Sequence, residues 1–576
     1  MNPTAVYSTA HYFLEGLTEL GIEYVFANLG TDHVSLIEEL ARWDSEGRAH
    51  PAFILCPHEN VAVHMAAGFA AVTGRGQAVM VHVDAGTANA AMGLHNMFRS
   101  RLPVLLMAGK APFTIRGELT GSRDNYVHFV QDPFDIASLV RPYVKWDYSL
   151  PSGVIAKEVL RRGHSVMQSD PPGPVYLTLP REVLADTLAQ DKVRSFGSDR
   201  YGAVQAAGID DAHAQAIAVQ LMQAEMPIAI TSYLGRKADA VTALEDLALL
   251  CGIRVFEFSP TYLSVPRNSP CFGGFDTGAA QAGADLGLLL DVDVPWLPRQ
   301  VQENPRTRWL HVDVDTIKKD FPMWGFATDL RVQADCATVL RQLATIVRTQ
   351  ADAAFHDKVA KRVAGWAADN QRRADGLARA SGDPGQVGSI SPAFFCAELS
   401  RQIALDDIVI NEAIRNSPNV LGHIHRTLPL TLIGSAGGGL GYSGGMALGA
   451  RLANPTVRVV QVVGDGGFHF STPTSVYATA QSYSLPIFTV VLDNGGWQAV
   501  KEAVLRTYPD GAAAQANQFQ ARLQGQQRHF ERVAQAFGAY GECVSDPADV
   551  AAAIQRCLQA VDKGQSAVLN VQIGLQ

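Results

Sequence analysis

Two stretches decide how this chain is read: "VVGDGGFHFS" (462–471) and "VVLDNGGWQAV" (490–500). Each starts as a run of β-branched and apolar residues, the composition of a buried strand, and ends in an Asp- and Gly-rich loop. Open α/β sheets bind ligands at the carboxyl ends of their strands, where such loops lie. Asp465 and Asn494 can each offer a side-chain oxygen there, and Gly496 a carbonyl oxygen unshielded by a side chain. Three hard oxygens suit Mg²⁺, which takes its remaining ligands from water and phosphates. The glycines let backbone N–H groups approach a diphosphate, and a helix starting after Phe470 would add its positive end.

The chain is too long for one core, because cores stop growing beyond ~250–300 residues. With 47% hydrophobic and 18% charged residues it has the composition of a globular protein. The net charge of −9 and the absence of a Lys/Arg cluster argue against a nucleic-acid or membrane partner and favour a small organic molecule. Seven cysteines without a CxxC pair suit reduced thiols. The N-terminal stretch has no cationic head followed by an apolar run, and no span of ~18 apolar residues occurs, so a cytoplasmic location is expected.

Apolar runs alternate with Ala- and Leu-rich segments throughout, the pattern of parallel sheets covered by helices. Strands are expected near 22–29, 77–83, 103–109 and 174–180, then a polar linker without strands after Pro180. A second series lies at 227–234, 253–258, 286–294 and 308–315. A third follows the linker "SGDPGQVGSISP" (381–392). The fold class is α/β, with three doubly wound parallel-sheet domains over 1–185, 200–350 and 380–576.

"GSAGGGLGYSGGMALGA" (434–450) places Gly439, Gly441 and Gly444 in G-x-G-x-x-G spacing, with Asp465 about 20 residues beyond. That imitates the fingerprint of an NAD-dependent dehydrogenase. It leaves the 493–496 loop idle, whereas the metal–diphosphate reading uses both loops.

The pair "GDG" and "DNGG" resembles the diphosphate motif of the thiamine diphosphate (ThDP) enzymes of the pyruvate decarboxylase and acetolactate synthase superfamily. "CPHENVAVHMAAGFAAVTGRG" (56–76) resembles the family's pyrimidine-domain segment and places its glutamate at Glu59, and "HVDAGTANAAMG" resembles the segment that follows. The resemblance implies pyrimidine-binding, middle and diphosphate-binding domains. It also implies a homodimer or homotetramer with each cofactor held between two subunits. Gly464, Asp465, Gly466, Gly467, Asn494 and Gly496 would hold the diphosphate and its metal. Leu440 would bend the cofactor, and the Gly438 carbonyl would accept from the aminopyrimidine.

By the same resemblance the Glu59 carboxyl would bond the pyrimidine ring and promote removal of the thiazolium C2 proton. A Glu at a helix start can also be merely a cap. His82 is the leading substrate-side proton carrier, since "HVDAGTAN" resembles the "HSAAGTGN" type of segment in benzoylformate decarboxylases. Thr31 falls near the substrate-binding serine of that family. His33 and Asp84 are neighbouring alternatives, Glu502 could reach over the thiazolium, and His58 reads as structural.

These features imply a lyase or transketolase-type transferase that cleaves or forms C–C bonds on 2-oxo acids. The spacing from Asp465 to Asn494, longer than in pyruvate or benzoylformate decarboxylases, and the "DNGGW" form keep a 2-hydroxyacyl-CoA lyase open. An inactive ThDP-fold scaffold would be signalled by loss of Glu59 or a metal ligand, and both are present. The middle domain could take FAD, an ADP group or nothing. Arg299, Arg306 and Arg308 are its candidate phosphate contacts.

Overall fold

The computed structural model describes residues 5–523 and 528–574. It contains three six-stranded sheets, each parallel throughout. The first runs Ala52–Leu55, Tyr24–Asn28, Gln77–Val81, Val104–Lys110, Val175–Pro180, Asp147–Ser149. The middle sheet runs Phe272–Gly274, Arg254–Glu257, Pro227–Thr231, Leu286–Leu290, Arg308–Asp313, Leu330–Gln333. The third runs Leu432–Ile433, Ile408–Glu412, Val459–Gly464, Phe488–Asp493, Ala567–Gln572, Tyr540–Val544.

Renumbered within each sheet, the first and third share the order 2-1-3-4-6-5, and the middle has the Rossmann order 3-2-1-4-5-6. Central strands such as Gln77–Val81 and Leu286–Leu290 are buried at every position. That is why they read as unbroken apolar runs: helices cover both faces of each sheet. The chain is thus three doubly wound α/β domains.

The polar segment after Pro180 departs from expectation. Thr187–Ala189 pairs antiparallel with Val6–Ser8, in the register Val6↔Ala189. Three-residue strands at a surface carry too little apolar pattern to be seen in sequence. All seven cysteines are free thiols, and six are buried. No helix among the described residues is long and apolar enough to cross a membrane.

Three helices position the site: α1 (Glu59–Thr73), α2 (Val83–Ser100) and α3 (Ser443–Ala453). α1 is buried from Glu59 through Ala71, because it lies between its own sheet and α3, and one core runs through the first and third domains. Glycines make this contact possible. A Cβ on Gly68 would lie 2.0 Å from the Met446 carbonyl oxygen, and one on Gly449 would lie 1.9 Å from that of Met65. Gly449→Val should therefore destabilise the protein by about 1–3 kcal/mol or more through overpacking. Gly365→Ala, on an open helix face with nothing within 4 Å of the added carbon, should stabilise it slightly. Thermal unfolding of the two variants reads the contrast.

Candidate functional site

The first and third sheets each have a switch point, where the chain leaves one strand toward one edge and its neighbour toward the other. In the first sheet it lies between Tyr24–Asn28 and Gln77–Val81, and the loops beyond it carry Thr31, Asp32, His33 and His82. Asp32, fully buried, accepts from His82 Nδ1 through Oδ1 and from the Val83 N–H through Oδ2 (3.3 Å). Burial works to raise the Asp32 pKa, but the His82 hydrogen bond and the neighbouring His33 outweigh it, and Asp32 lies below its ordinary value. His82 is held above its own, chiefly by the Asp32 hydrogen bond, against burial.

Gly30 and Gly109 leave the room for this pair: a Cβ would meet His82 Nδ1 at 1.9 Å in one case and Asp32 Oδ2 at 1.3 Å in the other. His33 is buried, accepts from the Gly30 N–H (3.1 Å), and has its pKa lowered by desolvation. Thr31 Oγ1 lies 3.1 Å from His128 Nε2. His128, itself buried, is 3.5 Å from an Arg181 guanidinium nitrogen. The structure thus brings Thr31 and His82 to one sheet end. It adds Asp32 and His128, which the sequence reading passed over.

Glu59 begins α1 but does not cap it. The N-cap is His58, whose Nδ1 accepts from the Asn60 N–H at 3.0 Å, so His58 is structural as expected. The Glu59 side chain, buried, accepts from Asn89 Nδ2 of α2 at 3.0 Å.

In the third sheet the switch point lies between Ile408–Glu412 and Val459–Gly464. Asp465 starts a short helix, Asp465–Phe470. The nearest helix N-terminus to the loop is therefore at the aspartate itself; the next helix begins at Pro473. Asp465 Oδ1 accepts from the Gly466 N–H (2.8 Å), and Oδ2 is buried without a partner. Burial, and then the Asp493 carboxylate, push Asp465 up to about 7. An unpartnered buried carboxylate oxygen beside a second carboxylate is what a divalent cation would relieve. Asn494 Oδ1 accepts from the Gly496 N–H (3.3 Å), and Gly496, at φ +145°, takes a conformation closed to other residues without strain. Asp465 and Asn494 thus end neighbouring strands. Among the described residues no group of three His, Cys, Asp or Glu side chains could hold a metal, so an ion here would rely on amide and carbonyl oxygens too.

Glu412 organises the glycine loop. Fully buried at its strand end, it accepts from the Gly441 N–H, the Ser443 N–H (2.9 Å) and Ser443 Oγ, and burial raises it to about 7. A carboxylate closing the apolar run "DIVIN" was the sequence signal for it. Gly438 and Gly464 border open space, since a Cβ on either would meet nothing within 4 Å. Gly439 and Gly441 instead serve close approach, to α2 and to the backbone of Phe470.

Side chains of α1 and α2 tie the first domain to the glycine loop of the third. Asn60, next to Glu59, donates through Nδ2 to the carbonyls of Gly441 (3.1 Å) and Phe470 (3.4 Å). Asn96 of α2 donates to the Gly439 carbonyl (3.0 Å), and His95 Nε2 accepts from the Gly438 N–H (3.2 Å). Leu440, half-buried, sits between these contacts. Glu502 pairs with Arg415 on an exposed helix and does not join the histidines. Asp84 Oδ1 accepts from the adjacent Ala85 N–H (2.8 Å).

At the carboxyl ends of the middle sheet, Asp291, Asp293 and Asp313 surround Lys318, Arg101 and Tyr233. Lys318 Nζ donates to Asp293 and Asp313 (2.8 Å each) and Arg101 to Asp293 (2.6 and 2.9 Å). The Arg101–Asp293 pair lines a cavity of about 440 Å³. Arg299, Arg306 and Arg308 are exposed, Arg308 at the amino end of its strand, the end opposite the cavity.

Residues 7–139 match the thiamine pyrophosphate enzyme N-terminal TPP binding domain, and residues 419–571 match the corresponding C-terminal TPP binding domain. The chain belongs to the thiamine pyrophosphate enzymes. This thiamine pyrophosphate enzyme is 23% identical to acetolactate synthase isozyme 3 large subunit of Escherichia coli, over 98% of this chain and 95% of that protein. It is 23% identical to benzoylformate decarboxylase of Pseudomonas aeruginosa, over 84% and 86%. In fold it is similar to a thiamine diphosphate-dependent 4-hydroxybenzoylformate decarboxylase of Rhodococcus jostii, with TM-score 0.77 and 20% identity, covering 99% of this chain and all of that one.

Proposed function

We propose that this enzyme uses ThDP and Mg²⁺ to break or form a C–C bond next to the carbonyl of a 2-oxo acid. What supports the reading is the pair of strand ends that carry the matched motifs: Glu59, buried at the start of α1, and the Asp465 loop, whose carboxylate keeps one buried oxygen without a partner. Bound ThDP would supply an electron sink for the bond being broken. Asp465, Asn494 and the Gly496 carbonyl would hold the metal. The glycine N–H groups of 464–467 would face the diphosphate, and Leu440 and the Gly438 carbonyl the rings. Glu59, kept in place by Asn89, would hold and return a proton at the pyrimidine nitrogen. His82, its pKa held up by its bond to Asp32, would carry a proton on the substrate side, with Thr31 on the same sheet end.

A screen of 2-oxo acids for ThDP- and Mg²⁺-dependent release of CO₂ or aldehyde tests this. A complete lack of turnover by protein that binds both cofactors would overturn it. A homodimer or homotetramer is proposed as the working assembly. Mixing Glu59→Gln and Asp465→Ala subunits decides how its sites are composed: recovered activity places the two residues of one site on different chains, and continued inactivity places them on one.

His82→Ala should lower turnover by ~10²- to 10⁴-fold, the usual contribution of a positioned proton carrier. Asp32→Asn removes the anion that holds the His82 pKa up. Whichever limb of the kcat/KM–pH profile reports His82 should then move to lower pH. A profile that does not move, with wild-type turnover in His82→Ala, would leave His82 a structural residue.

A further inference from the structure

A second cavity, of about 770 Å³, opens far along the chain from the residues of the cofactor site. Its walls come from the middle-sheet edge strand Phe272–Gly274, the long helix Ala353–Gly382 and two third-domain helices, Pro392–Gln402 and Ser417–His423. The volume lies in the range of small-molecule sites. Phe272, Phe275, Leu377 and Leu421 supply an apolar lining.

Its charge is one-sided. Among the described residues that line it the single carboxylate is Asp276, and that side chain is spent capping a helix through the N–H groups of Gly278 and Ala279. Facing the same space are Arg267, Arg373, Arg401, His423 and His425. Arg401 pairs with Glu398. Arg267 is anchored to Glu257 at 2.7 Å, yet its buried Nε has no partner. Arg373, half-buried, has no carboxylate within ion-pair distance.

Both guanidiniums lie over the Phe272 ring, at 4.5 Å for Arg267 and 4.9 Å for Arg373. Two like charges are thereby brought to one ring, with Glu257 paired to Arg267 and Asp369 acting on Arg373 only from beyond ion-pair distance. Burial and then the Arg267 charge lower the Arg373 pKa, and Asp369 offsets them only in part. An anion in the cavity would meet the Arg373 fork, with the buried Arg267 charge behind the Phe272 ring adding to the attraction, and charge-assisted bonds of that kind are the strong ones. Its apolar body would cover the Phe and Leu side chains.

We propose that this cavity is a binding site for a small anion, a carboxylate or phosphate carried on an aromatic or aliphatic body, separate from the cofactor site. The site lies where the middle domain, the connecting helix and the third domain meet, so its occupant would bind all three together.

The test is calorimetric titration of the protein loaded with ThDP and Mg²⁺. The probes are phenyl phosphate, 4-phenylbutyrate and the neutral 4-phenylbutanol. At least one anion should bind saturably, and the stronger of the two identifies the preferred head group. The neutral alcohol should bind about 10-fold more weakly or not at all, the loss of one charge-assisted contact. Arg373→Gln should weaken the anion by about 10-fold or more, while Arg372→Gln, an exposed neighbour paired with Asp369, should not. Leu377→Trp, which fills the cavity without changing charge, should block the same probe and covers the case of an unstable Arg373 variant. Absence of anion binding, equal binding of the alcohol, or wild-type affinity in both Arg373→Gln and Leu377→Trp would overturn the proposal.

Discussion

Glu59→Gln is expected to bind ThDP and Mg²⁺ like the parent protein while exchanging the cofactor's C2 hydrogen with deuterated water ~10²- to 10⁴-fold more slowly, the range of a positioned acid–base group. The structure sharpens the contrast. α1 is capped by His58, whose Nδ1 bonds the Asn60 N–H, so the substitution removes no cap and should leave the melting temperature nearly unchanged. The amide oxygen can still accept from Asn89, which preserves the side chain's position. What is lost is a proton that can be given and recovered. Quenched-flow NMR of C2 exchange in both variants reads this directly. Equal exchange rates would remove Glu59 from the chemistry and leave it a buried hydrogen-bond partner of α2.

Asp465→Ala should abolish Mg²⁺-dependent ThDP binding. The loss should exceed the ~10- to 100-fold typical of removing a residue that merely supports a metal ligand. The carboxylate has one oxygen on the Gly466 N–H and the other buried without a partner. Its removal also leaves Asp493 with Arg528 as its charged neighbour (2.9 Å), so the fold around the loop should survive. Calorimetry at saturating and at chelated Mg²⁺ separates the metal effect from misfolding. A folded variant with parental affinity would remove the metal assignment.

Central strands could be located from sequence because each is covered on both faces and reads as one apolar run, as at Val459–Gly464 and Phe488–Asp493. Most edge and surface strands could not, although the edge strand Leu432–Ile433 lies in the apolar run "TLIGS". Leu330–Gln333 is exposed at alternate positions, and Thr187–Ala189 lies in a polar stretch. In the site, residues inside motifs could be read, among them Glu59, His82 and Asp465. Partners that reach them across the fold could not: Asp32 meets His82 only because two loops 50 positions apart converge at a switch point. Glu412 bonds the glycine loop about thirty residues further on for the same reason. His128 comes from a segment without strand or long helix pattern.

The first and third sheets share one strand order, and α1 and α3 follow the equivalent second strand in each, so the helices that meet through Gly68 and Gly449 are counterparts. Backbone against backbone, this pair has no slack and acts as the fixed jaw of a calliper. One tip carries Glu59, and the other takes off from the Gly438–Gly441 loop. One residue inserted in α1 would turn Glu59 by about 100° and disable the grip without disturbing the sheet. On the proposed function, variation that accommodates substrates of different size would enter at the Thr31–His128 end, where the walls are loops, while the jaw itself stays the same length.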